Sequence, residues 1–273
     1  MFKSESYFSI VTPTFNRATL LSRVYESLKV QKFKSFEWII VDDGSNDNTF
    51  NLVDSWIGCA DFNIVYSFQN NSGKHIAYNR GVRLSSGLFV IVLDSDDELT
   101  SSALFDLQNL IEKLGRVNVT MLFTRSVSSE FCDYSNILLE TYNDYYVNLY
   151  HSGLLDKECL PCIRKDQALK NLFPELNNVF LLEGFIWLDI GTQNKMHISN
   201  LVTRIYHQNS SFSLSSRVKT VFDHKMEFYF QWKLFMSYTL IKKCFSFKFS
   251  IYVVFYFYKF IKNYLRDILK FWK

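Results

Sequence analysis

Four apolar runs recur along the first hundred residues, YFSIVTPTF, FEWIIVDDGS, FNIVYSF and LFVIVLD, and each gives way to a polar stretch. Runs with so few polar interruptions suit strands covered on both faces, the condition of a parallel sheet wrapped by helices. The segments between them supply the helices. Ala18 to Lys32 sets Leu20, Leu21, Val24, Tyr25 and Leu28 on one face. NDNTFNLVDSW reads as the second helix and HIAYNRGVRLSSG as the third, with Gly87 in position to cap its C-terminus. Pro13 stops the first strand, and Asp43-Gly44-Ser45 turns the chain after the second. The expected fold class is α/β, a doubly wound, mostly parallel sheet flanked by helices.

In open sheets of this kind ligands bind in the crevice beyond the carboxyl ends of the strands. TPTFNR, DDGSND, NNSGK and DSDDE stand at those four ends, so four polar stretches converge there. In VIVLDSDDELT three aspartates and a glutamate fall within five positions of a buried strand's end. Carboxylates so close repel one another and favour protonation of some of their number, so a positive group is expected among them. Asp94, Asp96 and Asp97 are hard oxygen ligands of the kind Mg²⁺ or Mn²⁺ prefers. Mg²⁺ takes one or two protein carboxylates and leaves its other positions to water and phosphate, which suits a diphosphate ligand. A helix cap followed by solvated acids is the bland alternative. The loop lacks the glycine and the twelfth-position glutamate of an EF-hand, and no G-x-G-x-x-G follows the first strand, which excludes a nicotinamide-dependent dehydrogenase.

Further along, Ser102 to Leu114 reads as a helix, residues 117–150 as short strands and loops, and Pro161 to Leu172 as another helix. Phe180 to Ile190 is apolar except for Glu183 and Asp189. A carboxylate flanked by Leu182, Phe185, Ile186 and Trp187 is costly to bury without a purpose, and desolvation would raise its pKa toward the range of a general base. A structural partnership with a core Arg or Lys is the alternative for Glu183. The five cysteines, Cys59, Cys132, Cys159, Cys162 and Cys244, are odd in number and follow no cleavable signal, which points to a reducing, cytoplasmic compartment. Cys159 and Cys162 form a C-x-x-C without a second pair and read as packing or surface thiols rather than a zinc site.

The net charge of +3 hides an asymmetry. From His224 onward ten Lys and Arg face only Glu227 and Asp267, so the body is acidic and the tail basic. The tail is dense in aromatic residues, yet its longest charge-free run, Phe249 to Tyr258, is 10 residues, half the roughly 20 that a spanning helix needs. It reads as an amphipathic helical segment lying on an anionic membrane surface, or packed on the catalytic domain or a second subunit. It carries no nucleic-acid-binding motif.

SIVTPTFNRA (9–18), WIIVDDGSNDNT (38–49), NNSGKHIAYNRGVRLSSG (70–87) and VLDSDDEL (92–99) together resemble the inverting family 2 glycosyltransferases of the GT-A fold, in that family's order and spacing. The likeness runs more loosely through DKECLPCIRKDQAL, LFPEL and LLEGFIW to RIYHQ. It implies a nucleotide-sugar-binding half over residues 1–110, an acceptor and catalytic-base half over 111–215, and the tail over 216–273. Pro13, Thr14 and Phe15 would lie against the base and ribose, with Phe15 where the family often has tyrosine. Asp43 would accept a hydrogen bond from the base, which favours a UDP-sugar. Asp94 would sit near the ribose, and Asp96 with Asp97 would hold Mn²⁺ or Mg²⁺ on the diphosphate. Arg17, Lys74, Arg80 and Ser95 complete the implied donor-binding set, Lys74 and Arg80 being phosphate contacts or ordinary surface charges. Glu183 matches the acidic position of the family's base motif, although this chain has Glu-Gly where many members have Glu-Asp. Asp189 is the reserve base, Trp187 part of an acceptor wall, and Arg204, Tyr206 and His207 later contacts. The implied activity is transfer of a sugar with inversion to a saccharide or lipid-linked saccharide of a bacterial surface polysaccharide, at the inner face of the cytoplasmic membrane, by a possible homodimer. The rival readings are a metal-dependent nucleotidyltransferase or phosphohydrolase, and a catalytically silent sugar-nucleotide-binding or membrane scaffold.

Overall fold

The computed structural model describes residues 6–130, 140–155, 158–176, 181 and 183–207, and, of the C-terminal segment, residues 229, 230, 232, 233, 236, 254, 258, 261 and 262. The first half alternates as its pattern predicts. β1 (Phe8–Thr14), α1 (Ala18–Lys29), β2 (Phe36–Asp42), α2 (Thr49–Ile57), β3 (Asn63–Phe68), α3 (Lys74–Leu84) and β4 (Phe89–Val92) follow one another. The sheet order β3-β2-β1-β4 is parallel throughout. Every residue of β1, β2 and β4 is buried, which explains why those strands read as continuous apolar runs.

Neighbouring strand residues point to opposite faces and feed two cores. Ile10, Trp38, Ile40 and Ile91 pack with Leu21, Val24 and Leu28 of α1 and Val53 and Trp56 of α2. Val11, Ile39, Val41 and Val90 pack on the other face with Ala77 and Val82 of α3. Fully burying each such side chain is worth about 1.5–3 kcal/mol, which sets the register of the pattern.

Beyond β4 the sheet becomes mixed. After β5 (Glu98–Leu99) and α4 (Ala103–Leu114) come β6 (Met121–Ser128), β7 (Thr141–Asp144), α5 (Tyr146–His151), β8 (Cys159–Arg164), α6 (Lys165–Lys170), α7 (Gly184–Gln193) and β9 (Met196–Tyr206). β8 runs antiparallel between β4 and β6, β9 is parallel to β6, and β5 and β7 pair antiparallel with β9. The parallel expectation therefore holds for the first four strands, and one sheet joins both halves of the chain.

Two local expectations are corrected. Residues 161–172 are not one helix. CLPCIR is strand β8, whose Leu160 and Cys162 enter one core while Ile163 enters the other, a period of two, and only Lys165–Lys170 is helical. Gly87 does not cap α3, which ends at Ser85 in extended conformation. Instead Gly87 lets β1 pass close by, since a Cβ there would lie 2.7 Å from the Phe8 carbonyl carbon and the Ser9 nitrogen. Cys162 is a buried thiol that burial pushes well up, and Cys159 is partly buried. Cys132 and Cys244 lie outside the described residues.

Candidate active site

The carboxyl ends of β1, β2, β3 and β4 face one crevice, as in other open α/β sheets. β4 ends in a tight turn in which the Asp97 N–H donates to the Asp94 carbonyl at 3.1 Å. Cations from three other elements meet the acids on and just after this turn. Lys74, the first residue of α3, reaches Asp94 Oδ1 at 2.7 Å. Arg17, just before α1, pairs with Asp96 Oδ2 at 3.0 Å and donates to Ser95 Oγ at 3.3 Å. Arg23 of α1 donates to the Asp96 carbonyl at 3.1 Å, and Arg204 of β9 pairs with Asp97 at 3.2 Å. His207 Nε2 lies 2.6 Å from Glu98 Oε1. The charge concentrated in DSDDE is thus answered first by the protein's own side chains. Sequence reasoning missed Arg23, which reaches the turn because α1 packs beside β5 and not through a sequence motif.

The electrostatics differ from acid to acid. Burial pushes Asp94 up, but Lys74, with Arg204 and Arg17, outweighs it and holds the carboxyl below its usual range. Burial dominates at Asp97, whose pKa is pushed up to about 7 with Asp94 and Asp96 adding to the effect, although Arg204 opposes it. Asp97 faces Arg204 with its side chain 9% exposed, and Asp96 faces Arg17 with its side chain 15% exposed, so a metal ion at either carboxylate would compete with a guanidinium. Among the described residues no group of three or more His, Cys, Asp or Glu forms a ready metal cage. Asp96 is the more exposed of the two, and one carboxylate is as much as Mg²⁺ or Mn²⁺ asks of a protein when phosphates and water complete the shell.

Asp43 is buried and its carboxylate is occupied by the loop that follows β3. Oδ1 accepts from Gln69 Nε2 and the Ser72 N–H, and Oδ2 from the Gly73 N–H, each at 2.8 Å. Gly73 takes φ 104°, a conformation that favours glycine, and hands the chain to α3 with Lys74 in its first turn. Three of the roughly four acceptor sites of the carboxylate are thus taken by the loop that leads to Lys74. Thr14 is buried at the end of β1 with an unpartnered hydroxyl, while Phe15 beyond it is 42% exposed. Arg80 stands apart, donating to Ser67 Oγ on β3.

Glu183 sits at the N-terminus of α7, with Oε1 2.9 Å from Lys74 Nζ. Its side chain is 37% exposed, so the expectation of a desolvated carboxylate is corrected: it lies at the crevice with a lysine partner. Lys74 consequently bridges Asp94 and Glu183. Burial would lower the ammonium's pKa, but those two carboxylates together hold it above its ordinary range. Asp189, further along α7, is paired with Lys233 of the C-terminal segment. Trp187 packs edge-on against Phe123, and Arg204, besides Asp97, contacts Glu158 and Ser126.

The C-terminal residues that are described meet α7. Phe230 is buried against Phe185 with ring centres 5.2 Å apart, and Tyr229 stacks on Phe185 at 5.9 Å. Tyr229, Trp232 and Met236 are exposed. Most of the basic tail lies outside the described residues. Among those described, no helix is long and apolar enough to cross a membrane.

A family profile described as "Glycosyl transferase family 2" matches residues 9–170. The chain is 41% identical over 98 residues to a GalNAc(5)-diNAcBac-PP-undecaprenol beta-1,3-glucosyltransferase of Campylobacter jejuni, covering 35% of this chain and 31% of that one. It is 40% identical over 106 residues to the poly(ribitol-phosphate) beta-N-acetylglucosaminyltransferase TarP of Staphylococcus aureus, covering 37% and 32%. The chain thus spans about a third of the length of these relatives. Among solved structures, S. aureus TarS 1–349 in complex with UDP-GlcNAc superposes with a TM-score of 0.68 at 20% identity, covering 83% of this chain and 66% of that one. A mannosyltransferase of Pyrobaculum calidifontis in complex with GDP-Man and Mn²⁺ gives 0.55 at 15% identity, covering 89% and 66%.

Proposed function

The chain belongs to glycosyl transferase family 2, and from that premise we propose that it moves a sugar from a UDP-sugar to a hydroxyl of a saccharide or lipid-linked saccharide acceptor, with inversion. The observation that carries this reading is the meeting of the Asp94–Asp97 turn, Lys74 and Glu183 in one crevice. It brings a donor-side acid and a base-side acid within reach of the same ammonium. The TarS neighbour bound to UDP-GlcNAc supports the choice of nucleotide, and the undecaprenol-linked substrate in the Campylobacter relative's name supports the acceptor class.

In this reading the exposed ring of Phe15 stacks on the base, with Pro13 and Thr14 beneath it. Asp43 holds the loop that presents Lys74, and Arg17 and Ser95 fix the orientation of the acid turn. Asp94 lies toward the ribose and Asp96 is the protein carboxylate for Mn²⁺ or Mg²⁺, whereas Asp97 is committed to Arg204. When bound, the ion would neutralise charge developing on the departing nucleoside diphosphate. Glu183 takes the proton of the acceptor hydroxyl, which then attacks the anomeric carbon from the face opposite the leaving group. Asp189 is six residues further along α7, about 9 Å of helical rise, and is held by Lys233, so it is the weaker base candidate. Residues 1–110 form the donor half, 111–215 the acceptor half, and 216–273 a tail that places the enzyme on the inner face of the cytoplasmic membrane, on a second copy, or both. The exposed Tyr229, Trp232 and Met236 and the +8 balance of residues 224–273 support the membrane role.

Calorimetric titration of UDP, GDP and dTDP, with and without Mn²⁺, into wild type and Asp96→Ala tests the donor site. The expected outcome is metal-dependent UDP binding that the variant loses. Absence of binding by all three nucleotides in wild type would refute the reading. Flotation with anionic vesicles, comparing the full chain with one lacking residues 224–273, tests the tail, and unchanged partition would sink its membrane role.

A further inference from the structure

Lys74 Nζ lies 2.7 Å from Asp94 Oδ1 and 2.9 Å from Glu183 Oε1, so a single ammonium serves two carboxylates with different proposed duties. An ammonium on Oε1 occupies an acceptor site that a general base needs for the incoming hydroxyl. Glu183 is fully open to that hydroxyl only when Lys74 has left it. A nucleoside diphosphate carries more negative charge than one carboxylate, and it would arrive beside Asp94 and Asp96, within reach of the same ammonium. Lysine suits such an exchange, being a compact charge on a flexible stem, unlike the planar fork of Arg204, which is held by Asp97, Glu158 and Ser126 together.

We infer that Lys74 is a positioning residue that couples the two halves of the site: the diphosphate draws its ammonium away from Glu183, so the base is released only once the donor is in place. The inference rests on the proposed donor site and on Glu183 as base. It ties the availability of the base to the presence of the donor, and keeps Glu183 masked when only an acceptor is present.

The test is calorimetric titration of UDP, GDP and dTDP in the presence of Mn²⁺ into the full chain as wild type, Glu183→Gln, Lys74→Gln and the double variant. Both side chains are about a third exposed, so these substitutions leave the fold intact. Glu183→Gln should bind the nucleotide about two- to fivefold more tightly, because Lys74 is no longer shared. In the Lys74→Gln background the same substitution should change nothing. Unchanged affinity in Glu183→Gln with Lys74 present would overturn the inference, as would equal tightening in both backgrounds, which would mark a long-range charge effect. A wild type that binds none of the nucleotides would instead overturn the donor reading on which the inference stands.

Discussion

Arg204 Nη1 stands 3.2 Å from Asp97 Oδ2, with both side chains only 9% exposed. The pair links β9 to the acid turn, and Glu158 and Ser126 hold the far side of the guanidinium. Breaking one partner of a buried pair is costly because it leaves an uncompensated charge, so Arg204→Ala should lose about 3–5 kcal/mol in urea unfolding. The exposed pair of Arg116 and Glu112 is the control, and Arg116→Ala should cost less than about 1 kcal/mol. Similar costs for both variants would show that Arg204 is not a buried anchor.

Asp43 predicts a different failure. Its carboxylate accepts three hydrogen bonds from the loop that ends in Gly73. Asp43→Ala should free that loop and cost about 1.5–3 kcal/mol for the most tightly held of these charge-assisted bonds, and it should weaken nucleotide binding by misplacing Lys74. A variant with lowered stability but unchanged nucleotide affinity would show that the loop does not position Lys74.

The crevice edge formed by the first four strands was legible because local patterns determine it. Continuous apolar runs require two-sided burial, and the polar stretches that end them must then gather at one edge of the sheet. The cations around DSDDE were only partly legible. Arg17 and Lys74 lie beside the strand ends in sequence, but Arg204 reaches Asp97 through the β5–β9 pairing, across more than a hundred residues. CLPCIR was misread for a related reason. Its period of two is short, and the strands that flank it, β4 and β6, are fixed by long-range pairing rather than by neighbours in the chain. Glu183 was singled out by its chemistry, yet its burial was overestimated, since Phe185 and Ile186 turn inward while the carboxylate at the helix start stays at the crevice.

His197 gives a pH dependence whose sign can be worked out. Its ring is buried, Nε2 lies 3.0 Å from Asn143 Nδ2, Nδ1 has no partner, and burial holds its pKa below the ordinary value. The unfolded chain therefore binds the proton more readily than the fold, from about pH 6.5 downward. The stability His197 contributes is present above that pH and lost as the pH falls through the lower folded value. Asp97, raised to about 7, acts in the opposite sense and loses its contribution as pH rises from about 4 to 7. The difference between wild type and His197→Gln isolates the histidine. Urea midpoints should rise less steeply between about pH 5 and 7 in the variant, and parallel curves would remove His197 from the account.

Gly184 and Phe230 meet beside the proposed base. A Cβ at Gly184 would lie 3.0 Å from Phe230 Cζ and 3.2 Å from Cε2, closer than a buried ring tolerates without shifting. The absence of a side chain beside Glu183 is therefore matched to an aromatic ring from the C-terminal segment, which packs where that side chain would begin. Gly184→Ala should displace Phe230 and cost about 1–3 kcal/mol. Phe230→Ala removes the ring first, so adding Gly184→Ala to it should cost much less than Gly184→Ala alone, a coupling that thermal denaturation of the four chains measures. Additive costs would mean that Gly184 and Phe230 act independently, and that the glycine beside the proposed base has no connection with the docking of the tail.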